Sequence, residues 1–325
     1  MPPAIAPAIV IEELTKDYAV GFWRKRPYRA LDRLSISIET GEIFGFLGPN
    51  GAGKTTTLKL LMQLIFPTAG RAEILGQPVG HVATRQRIGY LAENPYYYDY
   101  LTAEELLGYF AQLFGYDAAE RRTRVARLLD EVGIGGERRL QLRKFSKGMV
   151  QRVGIAQALI NDPEVVFLDE PMSGLDPLGR REVRNLILRL RDQGRTVFFS
   201  SHILADAESL CSRIAVVAGG RLAAAGRVSD ILAFEVRGWE LAVTGVTSEV
   251  LARVAPSARR TSQISPGHFT IELATDPPPE RVLADLIAAG GSLVSLHPIR
   301  DTLEDFFVKR VAAAGSAREM PSARD

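Results

Sequence analysis

A single cysteine, Cys211, occurs in 325 residues. That excludes a disulfide framework and a zinc cluster, and it suits a reducing cytoplasm. An excess of one charge is missing too. The 40 Lys and Arg are offset by 38 Asp and Glu, interspersed along the chain, so the net +2 leaves no nucleic-acid footprint. No apolar run reaches the ~18 residues of a membrane span. The opening Met1-Pro2-Pro3-Ala4-Ile5-Ala6-Pro7 carries prolines and no basic segment, unlike a secretory signal. Work at a membrane would therefore be done from its surface, through a partner. What is present is ordinary for a soluble globular chain, 46% hydrophobic and 24% charged, with length for one large domain and one small one.

The most informative stretch runs from Glu42 to Thr56 and reads as a buried strand, a glycine-rich turn and a helix start. Within it Gly48-Pro49-Asn50-Gly51-Ala52-Gly53-Lys54-Thr55 fits G-x-x-x-x-G-K-[ST], the phosphate-binding loop. Its glycines let successive N–H groups converge on one concavity, and the helix N-terminus aims its dipole at the same anion. Lys54 supplies a point charge for the β- and γ-phosphates, and the Thr55 hydroxyl can ligate Mg²⁺. Leu58, Leu60, Leu61 and Leu64 supply the apolar side of the following helix.

Before this loop, residues 8–40 alternate like strands. They are interrupted by a basic and aromatic insert, Gly21 to Arg29, which reads as a solvated hairpin tip or as a contact with lipid headgroups or a membrane partner. Tyr18 is either a core tyrosine or a platform for an adenine ring. Beyond the loop, Pro67 to Gly70 reads as a turn, with strands at Ala72–Gly76 and Ile88–Leu91, then a tyrosine cluster at 96, 97, 98 and 100. From Thr102 to about Ile160 the pattern is helical. Thr102 with Glu105 and Asp117 with Glu120 have capping-box spacing. Leu106, Leu107, Phe110 and Leu113 line one helix, and Val125, Leu128, Leu129 and Val132 the next.

The strand pattern resumes at Val165 and ends in Asp169-Glu170. An apolar strand ending in aspartate downstream of a phosphate loop is the second half of such a site, with the aspartate serving Mg²⁺. Glu170 is placed to polarise a water as general base. His202 follows the strand Thr196–Ser201, at the carboxyl edge where α/β sheets bind ligands.

These motifs, with Phe145-Ser146-Lys147-Gly148-Met149-Val150-Gln151-Arg152 and Ser173-Gly174-Leu175-Asp176, come in the order of the ATP-binding cassette (ABC) ATPases, which the chain resembles over roughly residues 8–230. The resemblance implies an α/β fold: a P-loop cassette with a mixed core sheet, an antiparallel β subdomain and an inserted helical subdomain. It implies ATP and Mg²⁺ as cofactors and two cassettes closing head to tail over two ATP molecules, as a homodimer or paired with a similar cassette. By resemblance, nucleotide contacts fall to Tyr18, Gly48, Asn50, Gly51, Ala52, Gly53, Lys54, Thr55, Thr56 and Glu93, with Ser146, Gly148 and Asp176 reaching the partner's nucleotide. Thr55, Asp169 and Glu93 look like the metal set, and Glu170, His202 and Lys54 the catalytic one.

Two departures stand out. The usual Leu-Ser-Gly-Gly-Gln signature reads Phe145-Ser146-Lys147-Gly148-Met149, and Glu93 replaces the usual glutamine. Both resemble the cassettes of bacterial exporters whose membrane permease is a separate polypeptide. Such a cassette is peripheral, on the cytoplasmic face of the membrane. An importer cassette and a non-transport ABC ATPase are the alternatives; the latter would carry a long coiled coil, zinc cysteines or a second cassette, none of which is present.

The cassette is expected over 8–233, followed by a small α+β domain over 234–312 and a disordered tail over 313–325. The small domain resembles the regulatory or dimerising extension of exporter cassettes. It reads as an alternating run at Trp239, Leu241 and Val243, a short helix through Val250, a strand Phe269–Leu273, a helix Glu280–Ala289, a strand Leu293–Leu296 and a helix Thr302–Val311. His268 and His297 have no partners at metal-ligand spacing and read as surface histidines.

Overall fold

A computed structural model describes residues 6–21, 26–231, 236–254, 256 and 258–300. Those up to Ile231 form one compact unit and those from 236 to 300 a second. The expected domain boundary at 233/234, the helix Thr302–Val311 and the tail all lie outside the described residues, as do 22–25 of the basic insert.

In the first unit, β1 (Pro7–Val20) and β2 (Arg26–Glu39) form a long antiparallel pair, extended by β4 (Ala69–Ile74) and β5 (Gln77–Pro78) in the order β2-β1-β4-β5. Their alternation follows burial of one face: Ile9, Ile11, Leu14, Leu31, Leu34 and Ile38 are all at 2% exposure or less. Two expectations are corrected here. Arg26 to Arg29 belong to β2 rather than to a hairpin tip, and Ala69-Gly70 begin β4 rather than a turn.

The second sheet holds the site. It comprises β3 (Ile43–Leu47), β6 (Ile88–Leu91), β7 (Val165–Asp169), β8 (Thr196–Ser201), β9 (Arg213–Ala218) and β10 (Arg221–Arg227), in the order β10-β9-β3-β8-β7-β6. All pairings are parallel except β9 with β10, so the sheet is mixed. β3, β7 and β8 are buried at every residue, which is why they read as unbroken apolar runs. Helix α1 (Lys54–Leu61) lies between the two sheets. Leu58 and Leu61 join the cluster in which Phe198 packs against Phe44, Phe46 and Phe167 at 5.3–5.9 Å between ring centroids. Leu64 falls past the end of α1 and is exposed.

The short α2 (Val82–Arg85) precedes β6. The helical block comprises α3 (Ala103–Leu113), α4 (Ala118–Glu131) and α5 (Lys147–Ala158). Thr102 and Glu105 close a full capping box, at 3.2 Å from the Glu105 N–H to the Thr102 hydroxyl and 2.8 Å from the Thr102 N–H to the Glu105 carboxylate. Asp117 instead accepts from the N–H groups of Ala119 and Glu120, while Glu120 turns to Arg124. The α4 face is buried as its spacing predicts. On α3, Ala103 and Ala111 join Leu106 and Leu107, and Leu113 faces solvent at the helix end. Beyond β7 and β8 run α6 (Pro177–Asp192) and α7 (Leu204–Leu210), and α8 (Val228–Ile231) follows β10.

The second unit is β11 (Val236–Thr244), α9 (Ser248–Val254), β12 (Ala258–Ser265), β13 (His268–Leu273), α10 (Pro279–Ala288) and β14 (Ser292–Arg300). The sheet order β12-β13-β11-β14 is antiparallel throughout, giving two interleaved βαβ units of the ferredoxin-like kind. Leu241, Val243, Phe269, Ile271 and Leu273 face Val282 and Leu286 of α10 in its own core. β12 is a strand that the sequence reading did not identify.

Candidate nucleotide site

The phosphate loop follows β3 at the carboxyl edge of the parallel strands. Gly51 and Gly53 hold φ of 78° and 106°, a left-handed conformation in which a side chain is strained. Gly48 is fixed by space instead, since a β-carbon there would collide with the carbonyl of Val217. A cleft of 360 Å³ opens above this loop, lined by Asn50, Gly51, Gly53, Lys54, Thr55 and Thr56, by Tyr18 and Tyr28, and by Glu93 and Glu170.

The charged groups are buried and mutually engaged. Lys54 Nζ donates to the carbonyl of Gly48 at 2.7 Å and stands 3.1 Å from Glu170 Oε1. Glu170 Oε2 lies 2.7 Å from His202 Nδ1, which must carry the proton when the carboxylate is ionised. Glu170 adopts φ of 50°, an uncommon conformation for a non-glycine residue, stabilised by its N–H bond to Ser200 Oγ at 3.0 Å. The same Ser200 hydroxyl donates to Asp169 Oδ1 at 2.5 Å. Asp169 is fully buried and its Oδ2 has no hydrogen-bond partner. Burial pushes its carboxyl above the ordinary value; the Ser200 hydrogen bond and the nearby Thr55 hydroxyl oppose, and the Glu93 and Glu170 charges push it further up. Glu93 itself is exposed at the cleft wall. Beside it, the Tyr90 hydroxyl is pushed up to about 12 by burial, with Asp169 and Glu93 adding.

Tyr18, the phosphate loop, Glu93, Asp169, Glu170 and His202 thus meet at one edge. Ser146, Gly148 and Asp176 do not join them; they line a separate cleft of 410 Å³ with Lys147, Met149 and Leu175. Ser146 caps α5 by accepting from the Met149 N–H at 3.2 Å, and Asp176 caps α6 by accepting from the Gly179 N–H at 2.8 Å. Lys147 folds back over Gly174, where a β-carbon would overlap its ammonium. Two residues escaped the sequence reading. Ser200 ties the Asp169 carboxylate to the backbone N–H of Glu170, and Tyr28 stands directly across the strand pair from Tyr18. Period-2 pairing puts cross-strand partners on one face, but only the register says which residues are partners.

Fold and site together define a P-loop nucleotide hydrolase with its phosphate cradle, carboxylate pair and histidine at one sheet edge. The sequence profile of the ABC transporter family matches residues 31–173. An uncharacterised ABC transporter ATP-binding protein of Synechocystis, sll0415, is 44% identical over 316 residues, covering 97% of this chain and 87% of its own. A fluoroquinolones export ATP-binding protein of Mycobacterium tuberculosis is 39% identical, covering 68% of this chain and 73% of its own. The solved dimer of the ATP-binding cassette MJ0796, in a post-hydrolysis state with ADP and Pi, aligns with a TM-score of 0.62 at 26% identity, over 68% of this chain and 98% of that one. The chain belongs to the ABC transporter family as one of its ATP-binding subunits, and it is an ATPase.

Proposed function

We propose that this subunit couples ATP hydrolysis to export through a separate membrane permease, as a homodimer at the cytoplasmic face of the membrane. The observation that carries the dimer is the division of the site. One cleft holds the phosphate loop and the carboxylates, and another holds Ser146, Gly148 and Asp176. A second copy would bring the two kinds of cleft together. Direction rests on the Phe145–Met149 and Glu93 departures and on the export relative. Among the described residues no helix is long and apolar enough to cross a membrane, which is compatible with a separate permease.

In this reading Lys54 binds the γ-phosphate, and Glu170, held by His202, takes the proton from the attacking water. Asp169 and Thr55 would hold Mg²⁺. The orphaned, buried Asp169 Oδ2 fits that demand, and Glu93 adds a carboxylate at the rim. The ion would neutralise charge on the β- and γ-phosphates. Tyr18 and Tyr28 offer ring faces to the base. The second unit, with its own core, is assigned a regulatory or dimerising role.

Affinity purification from detergent-solubilised membranes tests the assignment. It is expected to recover an integral membrane permease and no solute-binding protein. Recovery of a solute-binding protein would make this an importer cassette.

A further inference from the structure

Asp206 is a buried charge without a part in the chemistry above. It stands in the first turn of α7, four positions beyond His202, and is 2% exposed. Its Oδ1 lies 3.5 Å from Arg184 Nη2 on α6, a loose pairing, and its Oδ2 is buried with no hydrogen-bond partner. Burial pushes the carboxyl up, while Arg180 and Arg184 on α6 and the His202 imidazole pull it back. A carboxylate kept this way destabilises the fold relative to a neutral side chain of the same shape. Such a group is a candidate for a functional part when its neighbours lead to the site.

They do so on two sides. The turn carrying His202 is closed by the Ile203 N–H bonding to Ser201 Oγ at 2.9 Å, and α7 starts directly after it. His202 then meets Glu170 at 2.7 Å. On the other side Arg180 donates Nε to the carbonyl of Leu175 at 3.2 Å, in the loop that also carries Gly174 and Asp176. Asp206 therefore joins the first turn of α7, which begins right after the histidine of one cleft, to Arg184 of α6, the helix whose Arg180 holds the loop of the other.

We propose that Asp206 is a positioning residue for hydrolysis: its buried pairing with Arg184 fixes the first turn of α7, and with it His202 against Glu170, to the helix α6 whose Arg180 holds the Leu175–Asp176 loop. This rests on the reading of Glu170 as general base. Asp206 lines neither cleft, so its removal should leave nucleotide affinity alone and act on turnover.

The test uses the full chain, with steady-state ATPase rates and ATP affinity by calorimetry. For Asp206→Asn, kcat is expected to fall about tenfold while the ATP Kd stays within about twofold of wild type. Asp206→Glu, which keeps the charge, should recover most of the rate. The double variant Asp206→Asn/His202→Ala should turn over no more slowly than His202→Ala, because both changes loosen one contact. Asp206→Ser replaces Asp206→Asn if the latter does not fold. A wild-type rate in the neutral variant would overturn the proposal. So would rate losses that multiply in the double variant, or a Glu variant as slow as the Asn one. Glu170→Gln is measured alongside. If it too keeps the wild-type rate, the general-base reading has failed; if it and His202→Ala are slow while Asp206→Asn is not, only the role of Asp206 has.

Discussion

Lys54 Nζ and Glu170 Oε1 lie 3.1 Å apart, each side chain only 6% exposed, so the phosphate-binding cation and the carboxylate beside it form one buried ion pair. Removing one member leaves the other with His202 or the Gly48 carbonyl as its remaining partner, at a cost of up to about 3 kcal/mol. Lys54→Ala is therefore expected to lose tight ATP binding and also stability of that order. Lys54→Ala/Glu170→Ala should regain much of the stability and none of the binding. Urea denaturation with ATP titration checks both halves.

Glu170→Gln keeps the shape and an acceptor for Lys54 while losing basicity. It should bind ATP as wild type does and hydrolyse it on the order of 10²–10⁴-fold more slowly. With ATP trapped, size-exclusion chromatography should show the variant as a dimer. An unchanged rate would remove Glu170 from the role of general base.

Asp169 gives a stability prediction with a definite sign. Its folded carboxyl is raised above 3.8, so the protein loses stability as pH climbs from that value through the raised one, and the loss is complete above it. Asp169→Asn should match the wild type in acid and gain on it through that window. At neutral pH without Mg²⁺ a gain of about 1 kcal/mol would raise Tm by roughly 2–4 °C. ATPase activity should fall sharply in the same variant. Thermal melts across pH decide the first point, and a variant no more stable than wild type at neutral pH would refute it.

Tyr28 sits opposite Tyr18 and lines the same cleft. Loss of one ring contact is worth about 0.5–1.5 kcal/mol, or roughly two- to tenfold in affinity. Tyr28→Ala should weaken ATP by that factor and leave inorganic tripolyphosphate binding unchanged. Equal weakening of both ligands would show that Tyr28 supports the loop rather than the base.

Glu93 adds negative charge to a cleft that already holds Glu170, and its charge acts on Asp169. Closure over ATP phosphates should then depend strongly on Mg²⁺ to offset it. Glu93→Gln is expected to retain activity with a lower Mg²⁺ requirement. Superimposable curves of rate against Mg²⁺ would leave Glu93 without a metal role.

The elements that escaped the sequence share a cause. β12 carries Ala258-Arg259-Arg260-Thr261-Ser262-Gln263-Ile264-Ser265 along a sheet edge with no buried residue, so no apolar alternation marks it. Tyr28 lay in a run rich in cations, and its partner is set by a register with irregularities farther along the pair. Leu64 and Leu113 keep helical spacing but fall where each helix ends, so neither is covered.

The sequence alone determined the phosphate loop, the Asp169-Glu170 strand end, His202 and the order of the signature elements. Each is a local pattern in which residue type and spacing carry the chemistry. Tertiary structure alone decided that Ser200, thirty residues from Glu170, bonds both the Asp169 carboxylate and the Glu170 N–H, that Lys54 and His202 grip Glu170 from two sides, and that Asp206 of α7 pairs with Arg184 of α6. Those contacts join elements distant in the chain: β8 meets its neighbour β7, the helix after β3 reaches β7 across β8, and α7 meets α6. Their strength comes from burial away from water, which no single segment can provide for itself.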